Sequence, residues 1–158
     1  ESRGLGDVYK RQGKISLMIL SALLFSGCAE YLPISGGQIK GVVTPAPEQW
    51  GAVADDKIIQ FETNAGQAYS VNLWVVEVSG SLHVFAGDKR ANWVEDIEQN
   101  PKVRLRAETS IFELEAVRVN DAQEFELFAQ AWEAKYGNRP RNENVDETYL
   151  YRLRSRTN

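Results

Sequence analysis

Asp88–Arg106, DKRANWVEDIEQNPKVRLR, is the stretch on which the reading of the fold turns. Asn92 stands where a helix cap would sit, and Glu95, three residues on, is placed to reach back to it. Trp93, Val94 and Ile97 give the helix one apolar side. Asn100-Pro101 then forces the chain out of the helix. Val103, Leu105 and Ala107 alternate with Lys102, Arg104 and Arg106, the period of a half-exposed strand. Lys89 and Arg90 precede the helix, where backbone N–H groups and the helix dipole favour an anion. The basic pair is therefore either an anion site or the solvated start of an ordinary capped helix between two strands.

Moving outward, short strands separated by turn residues lie on both sides of this unit. Lys57–Phe61 is a β-branched run broken by "TNAG". Tyr69–Val78 puts Tyr69, Val71, Leu73 and Val75 on one face and Trp74, Val76 and Val78 on the other, so it reads as a central strand covered on both sides. Ser79-Gly80 makes a tight turn into Ser81–Phe85. After the helix, Ile111–Val119 changes its apolar phase at Val117 and Val119, which suggests a bulge near Ala116. Asp121 and Glu124 form a second capping box, followed by Phe125, Phe128, Ala129, Trp132 and Tyr136 on one helix face, with Gly137 as the stop. A polar loop leads to a last strand, Thr148–Arg154. The order β-β-β-α-β-β-α-β is mainly β with two helices, a small and mostly antiparallel barrel over residues 51–158.

The N-terminal region reads differently. Residues 1–12, ESRGLGDVYKRQ, resemble a translated library adapter and are read as an assembly scar. Residues 13–27 combine Lys14, an apolar run Ile15–Phe25 and small residues before Cys28, the pattern of a secretory signal; the run is too short to span a bilayer. "LFSGC" resembles a bacterial lipobox, which makes Cys28 the expected site of lipidation and the bilayer a partner. That would place the protein in the cell envelope, facing the periplasm or the exterior. Ala29 in the position after the cysteine suggests outer-membrane sorting in a Gram-negative host. The Gly- and Pro-rich residues 28–50 are expected to be a flexible tether.

Composition removes several functions. The formal charge is −4, and Arg3, Lys10, Arg11 and Lys14 against Glu1 and Asp7 leave −6 on the rest. An acidic body argues against nucleic acid as a partner. With one Cys and one His, an intrachain disulfide and a structural zinc site are both excluded. His83 could serve as a haem axial ligand, although a lone histidine in a strand more commonly has a structural role. Neither a Ser-His-Asp arrangement nor a G-x-G-x-x-G loop occurs.

Taken together, Thr63, Gly66, "NLWVV" (72–76), "SGSLHVF" (79–85), "NWVEDIEQNPKVRL", "AWEAKYG" (131–137) and "YLYRLRSR" (149–156) resemble the split β-barrel proteins related to pyridoxamine-phosphate oxidase. The similarity is greatest to the branch containing deazaflavin-dependent nitroreductases. It implies a homodimer with FMN or a deazaflavin at the subunit interface, the phosphate held by Lys89 and Arg90. Gly66, Trp74, Asn92 and Trp93 join them as expected cofactor-site residues. Relatives usually carry a cation beside the turn glycine; here Asn64 and Gln67 flank Gly66. Two readings of function follow. One is a membrane-anchored flavin-type protein reducing a small electrophile. The other is a non-enzymatic envelope lipoprotein, a ligand-binding or assembly module whose barrel has lost the cofactor.

Overall fold

The computed structural model describes residues 36–87 and 89–156. Cys28, the signal segment and the adapter-like residues lie outside this range. The elements are β1 (Val42–Val43), α1 (Gly51–Asp55), β2 (Ile58–Asn64), β3 (Ala68–Val78), β4 (Ser81–Phe85), α2 (Asn92–Gln99), β5 (Lys102–Ala107), β6 (Ser110–Arg118), α3 (Ala122–Tyr136) and β7 (Leu150–Ser155). Six strands close an antiparallel barrel in the order β2-β3-β4-β7-β6-β5, with β5 pairing back onto β2. The mainly β, small antiparallel barrel expected from the sequence is what the chain forms. Among the described residues no helix is long and apolar enough to cross a membrane.

Two cores explain the residue patterns. Inside the barrel, Phe61, Val75, Leu82, Val84, Leu105, Leu114 and Leu153 pack together, and α2 closes one end with Trp93, Val94 and Ile97. Outside it, α3 lays Phe125, Phe128, Ala129 and Trp132 over Val76, Val78, Val119 and Leu150. β3 is therefore apolar on both faces because each face meets a different core. The Ser79-Gly80 turn forms as expected, with both residues at positive φ (50° and 78°). Gly137 ends α3 in the left-handed region at φ 83°.

Several local expectations need correction. β6 contains no bulge: Leu114–Arg118 pair with Ser155–Tyr151 without a break, and Val119 continues the register by donating to the Leu150 carbonyl. The change of apolar phase reflects Val119, which follows the strand and packs outward into the core beneath α3. Asn92 does not cap α2. Ala91 occupies that position in an extended conformation, its carbonyl accepting from Val94 and Glu95, and no side chain caps the helix. For α3, the Asp121 half of the capping box forms, accepting from the Glu124 N–H at 2.7 Å. The Glu124 carboxylate turns instead to His83 and Arg152. β2 runs on through Thr63 and Asn64, since its ladder with β3 extends to the Asn64–Ala68 pair.

The described part of the expected tether, residues 36–50, is a strap bound to the barrel. Gly36 exchanges hydrogen bonds with Ser70, Ile39 N–H donates to Glu62, and Val42–Val43 run parallel to Ser110–Ile111. Ile39 and Trp50 are buried, Trp50 edge-on to Phe112. A Cβ on Gly41 would meet the Thr109 carbonyl oxygen at 2.5 Å, so only glycine lets the strap lie this close. The strap buries Gln60, Glu62, Ser70 and Arg106, polar residues on the outer barrel face. Its Gly/Pro composition reflects close approach and irregular backbone, and buried anchors give it a fixed course.

Candidate functional site

The Ala65–Gln67 turn between β2 and β3 stands beside α2, and the space between them is a cleft of about 590 Å³. Gly66 takes φ 123°, and its N–H donates to Asn64 Oδ1 at 3.0 Å, holding the turn in shape. The facing wall comes from Asn92, Glu95, Asp96 and Gln99, which recur at i, i+3, i+4 and i+7 and so share one side of the helix. Gln67 and Tyr69 line the strand side. Thr63, fully buried, donates to Asp96 Oδ2 at 2.6 Å and fixes the helix against the sheet.

The six residues expected at a cofactor site separate in space. Asn92 and the neighbours of Gly66 meet across the cleft. Trp93 does not, since it points into the barrel, edge-on to Phe61 and Tyr151 at 5.8 Å each. Trp74 lies near the other end of the β2–β3 hairpin, opposite Ile58. Eight residues at about 3.3 Å each separate it from Gly66 along the strand direction. It is 46% exposed and stacks on Tyr136 at 4.6 Å. Lys89 and Arg90 are exposed and line no wall of the cleft. Arg90 pairs with Glu98 and approaches Glu95 at 3.8 Å, and the Glu98 hydrogen bond raises its pKa above the ordinary arginine value.

His83 is a structural residue. It is 1% exposed; Nδ1 contacts the Ser81 carbonyl at 3.0 Å and Nε2 contacts Glu124 Oε1 at 2.9 Å. Both ring nitrogens are engaged, so neither is open to a haem iron. No group of three His, Cys, Asp or Glu among the described residues could hold a metal ion. Next to Trp74, Lys135 Nζ donates to the Ala54, Asp56 and Val75 carbonyls, and burial lowers its pKa. Tyr136 OH accepts from Val75 N–H and donates to the Lys57 carbonyl. This cluster ties α3 to the start of the barrel.

The family model for F420H(2)-dependent quinone reductases matches residues 63–149, from Thr63 on β2 through the turn, α2 and α3. The chain belongs to this family. No curated protein sequence matches it. Among solved structures, an F420-H2 dependent reductase is 16% identical with a TM-score of 0.50, the match covering 74% of this chain and 100% of the other. A FAD-binding protein from Mesorhizobium loti is 13% identical over 68% and 84% of the two chains, TM-score 0.50. A domain-swapped dimer is 17% identical over 63% and 81%, TM-score 0.50. At these identities the structures establish the shared split barrel.

The family points to a flavin-type group, and the cleft fits such a group in part. Its amides (Gln67, Asn92, Gln99) can hydrogen-bond a polar heteroaromatic ring. Its charged residues are Glu95 and Asp96, with no cation among the lining residues, so it repels a phosphate. Of the basic pair, Lys89 has no carboxylate partner among the described residues. Sequence reasoning missed Gln67, Tyr69, Glu95, Asp96 and Gln99. The helical spacing of the polar residues could have revealed the α2 wall, but the facing strand wall depends on the tertiary fold.

Proposed function

We propose that the chain is a flavin- or deazaflavin-binding reductase of small electrophiles, with the Gly66 turn and α2 as the cofactor site. The observation that carries this reading is the family match, whose span contains both walls of the cleft. When bound, the cofactor would supply hydride chemistry. The chain's own contribution is to orient the ring through Gln67, Asn92 and Gln99, while Lys89, Arg90 and the first N–H groups of α2 receive the phosphate. Arg90 must exchange Glu98 for the phosphate to do so. Homodimerisation agrees with the domain-swapped relative and brings a second surface to the cleft.

Absorbance of the protein as isolated, followed by titration with FMN and with F420, tests the reading. A flavin or deazaflavin band, or saturable binding of either, is the expected result. Lys89→Ala with Arg90→Ala should then weaken binding at least tenfold, since each charge-assisted hydrogen bond contributes about 1.5–3 kcal/mol. If neither cofactor binds, the second reading stands: an envelope lipoprotein without a cofactor. The acidic walls of the cleft favour that alternative.

Anchoring through Cys28 belongs to both readings and is supported by the lipobox-like LFSGC. Three acyl chains exceed the two signals that stable membrane attachment requires. In the envelope, Cys28→Ser should move the protein from the detergent phase to the aqueous phase and remove the mass of the lipid. A Cys28→Ser protein that still partitions into detergent would refute the anchor.

A further inference from the structure

A second open region shares no lining residue with the Gly66–α2 cleft. It lies on the outer barrel face beside the strap, where two adjoining hollows of about 450 and 760 Å³ have Lys102, Glu113 and Arg156 in common. They form one trough with unlike ends. At one end the floor is Glu62 and Arg104, whose guanidinium Nη1 donates to Oε1 at 3.0 Å. At the other the wall is Val43, Pro45 and Ala46 of the strap, with Val43 58% exposed.

The cationic end is only partly neutralised. Arg104 lines it with its guanidinium paired to Glu62, and its Nε is buried without an acceptor. Lys102 is exposed, and no carboxylate among the described residues pairs with it. Arg156 is held in place by the Leu114 and Val103 carbonyls at 3.1 and 2.8 Å, and its Nη1 stands 3.4 Å from Glu113. The trough therefore has three cations, Lys102, Arg104 and Arg156, against two carboxylates, Glu62 and Glu113. That is a net positive site on an acidic protein, whereas the α2 cleft has two carboxylates and no cation. Attraction favours an anion in the trough, whereas the carboxylates lining the cleft disfavour one there.

We propose that this trough binds an amphipathic oxyanion, a small molecule with a phosphate or carboxylate head and an apolar body. The head lies against Lys102, with Arg104 and Arg156 lining the same end and Glu62 and Glu113 keeping their guanidinium groups in position. The apolar body lies along Val43–Ala46 and covers surface that is otherwise exposed to water. The site does not depend on the cofactor reading and stands if no flavin binds.

Calorimetric titration of the full chain with decyl phosphate below its micelle concentration, with decanoate, and with inorganic phosphate provides the test. Saturable binding of decyl phosphate is expected, tighter than inorganic phosphate by roughly tenfold or more through burial of the alkyl chain. Decanoate binding as tightly as the alkyl phosphate would identify a carboxylate head, and weaker binding a phosphate head; both outcomes support the site. Lys102→Ala should weaken decyl phosphate by about tenfold, one charge-assisted bond, while Val43→Ser weakens it roughly threefold and leaves inorganic phosphate unchanged. Both residues are exposed, so unchanged melting temperatures would show that the fold is intact. Lys89→Ala should have no effect on this binding. Absence of saturable binding, or a Lys102→Ala affinity within about twofold of wild type, overturns the proposal.

Discussion

Trp93→Ala is expected to destabilise the domain by roughly 3–5 kcal/mol, the cost of emptying a large aromatic site in a packed core. Trp93 is 4% exposed and reaches from α2 into the barrel, with Phe61 and Tyr151 edge-on to its ring. The helix is only eight residues long, too short to persist without its tertiary contacts. Losing the tryptophan therefore loosens the whole plug and both walls of the neighbouring cleft. In urea, with a slope of about 2 kcal/mol per molar, the midpoint should fall by roughly 1.5–2.5 M. Trp93→Phe keeps an aromatic ring in the barrel and should lose less than half as much. The loss should appear in the absence of flavin, because the ring packs in the barrel and points away from the cleft. A Trp93→Ala midpoint within about 0.3 M of wild type would show that α2 does not depend on this anchor.

The other large effect is expected at Glu62, a carboxylate 4% exposed on the outer face of β2. It accepts from the Ile39 N–H at 2.6 Å and from Arg104 at 3.0 and 3.3 Å, so it joins the strap, β2 and β5. Glu62→Ala leaves a mostly buried guanidinium without its counter-charge and a strap N–H without its acceptor. Breaking a buried pair from one side costs about 3–5 kcal/mol. Replacing both partners, Glu62→Leu with Arg104→Met, should return most of that loss, because the penalty comes from the charge left alone. In Glu62→Ala the strap should also become accessible to trypsin at Lys40. A Glu62→Ala protein that loses less than about 1 kcal/mol and resists cleavage would mean that the strap is held by Ile39 and Trp50 alone.

The barrel was legible because its signals are local. Alternation marked Val103, Leu105 and Ala107, the Ser79-Gly80 turn set one hairpin, and the spacing of Phe125, Phe128, Ala129 and Trp132 gave α3 its buried face. The misreadings share a cause: each residue's role was set by a partner distant in sequence. Glu124 looked like half of a capping box, but His83 and Arg152 draw its carboxylate away. Val117 and Val119 looked like the result of a bulge, whereas the ladder is unbroken and Val119 packs in the core beneath α3. Gly41 looked like tether composition, and its meaning lies in the approach of Thr109. At the site, Lys89 and Arg90 were conspicuous in the sequence, yet the cleft wall is made by Asn92, Glu95, Asp96 and Gln99.

By itself the sequence determined a mainly β domain with two substantial helices and the α2 and α3 boundaries to within a residue or so. These follow from periodicity and turn chemistry, which need no knowledge of long-range contacts. Tertiary structure alone decided that the barrel closes through β5 on β2 and that residues 36–50 bind as a strap. It also decided which charges face which cleft. A charge acts through its distance and its dielectric surroundings, and both are set by folding.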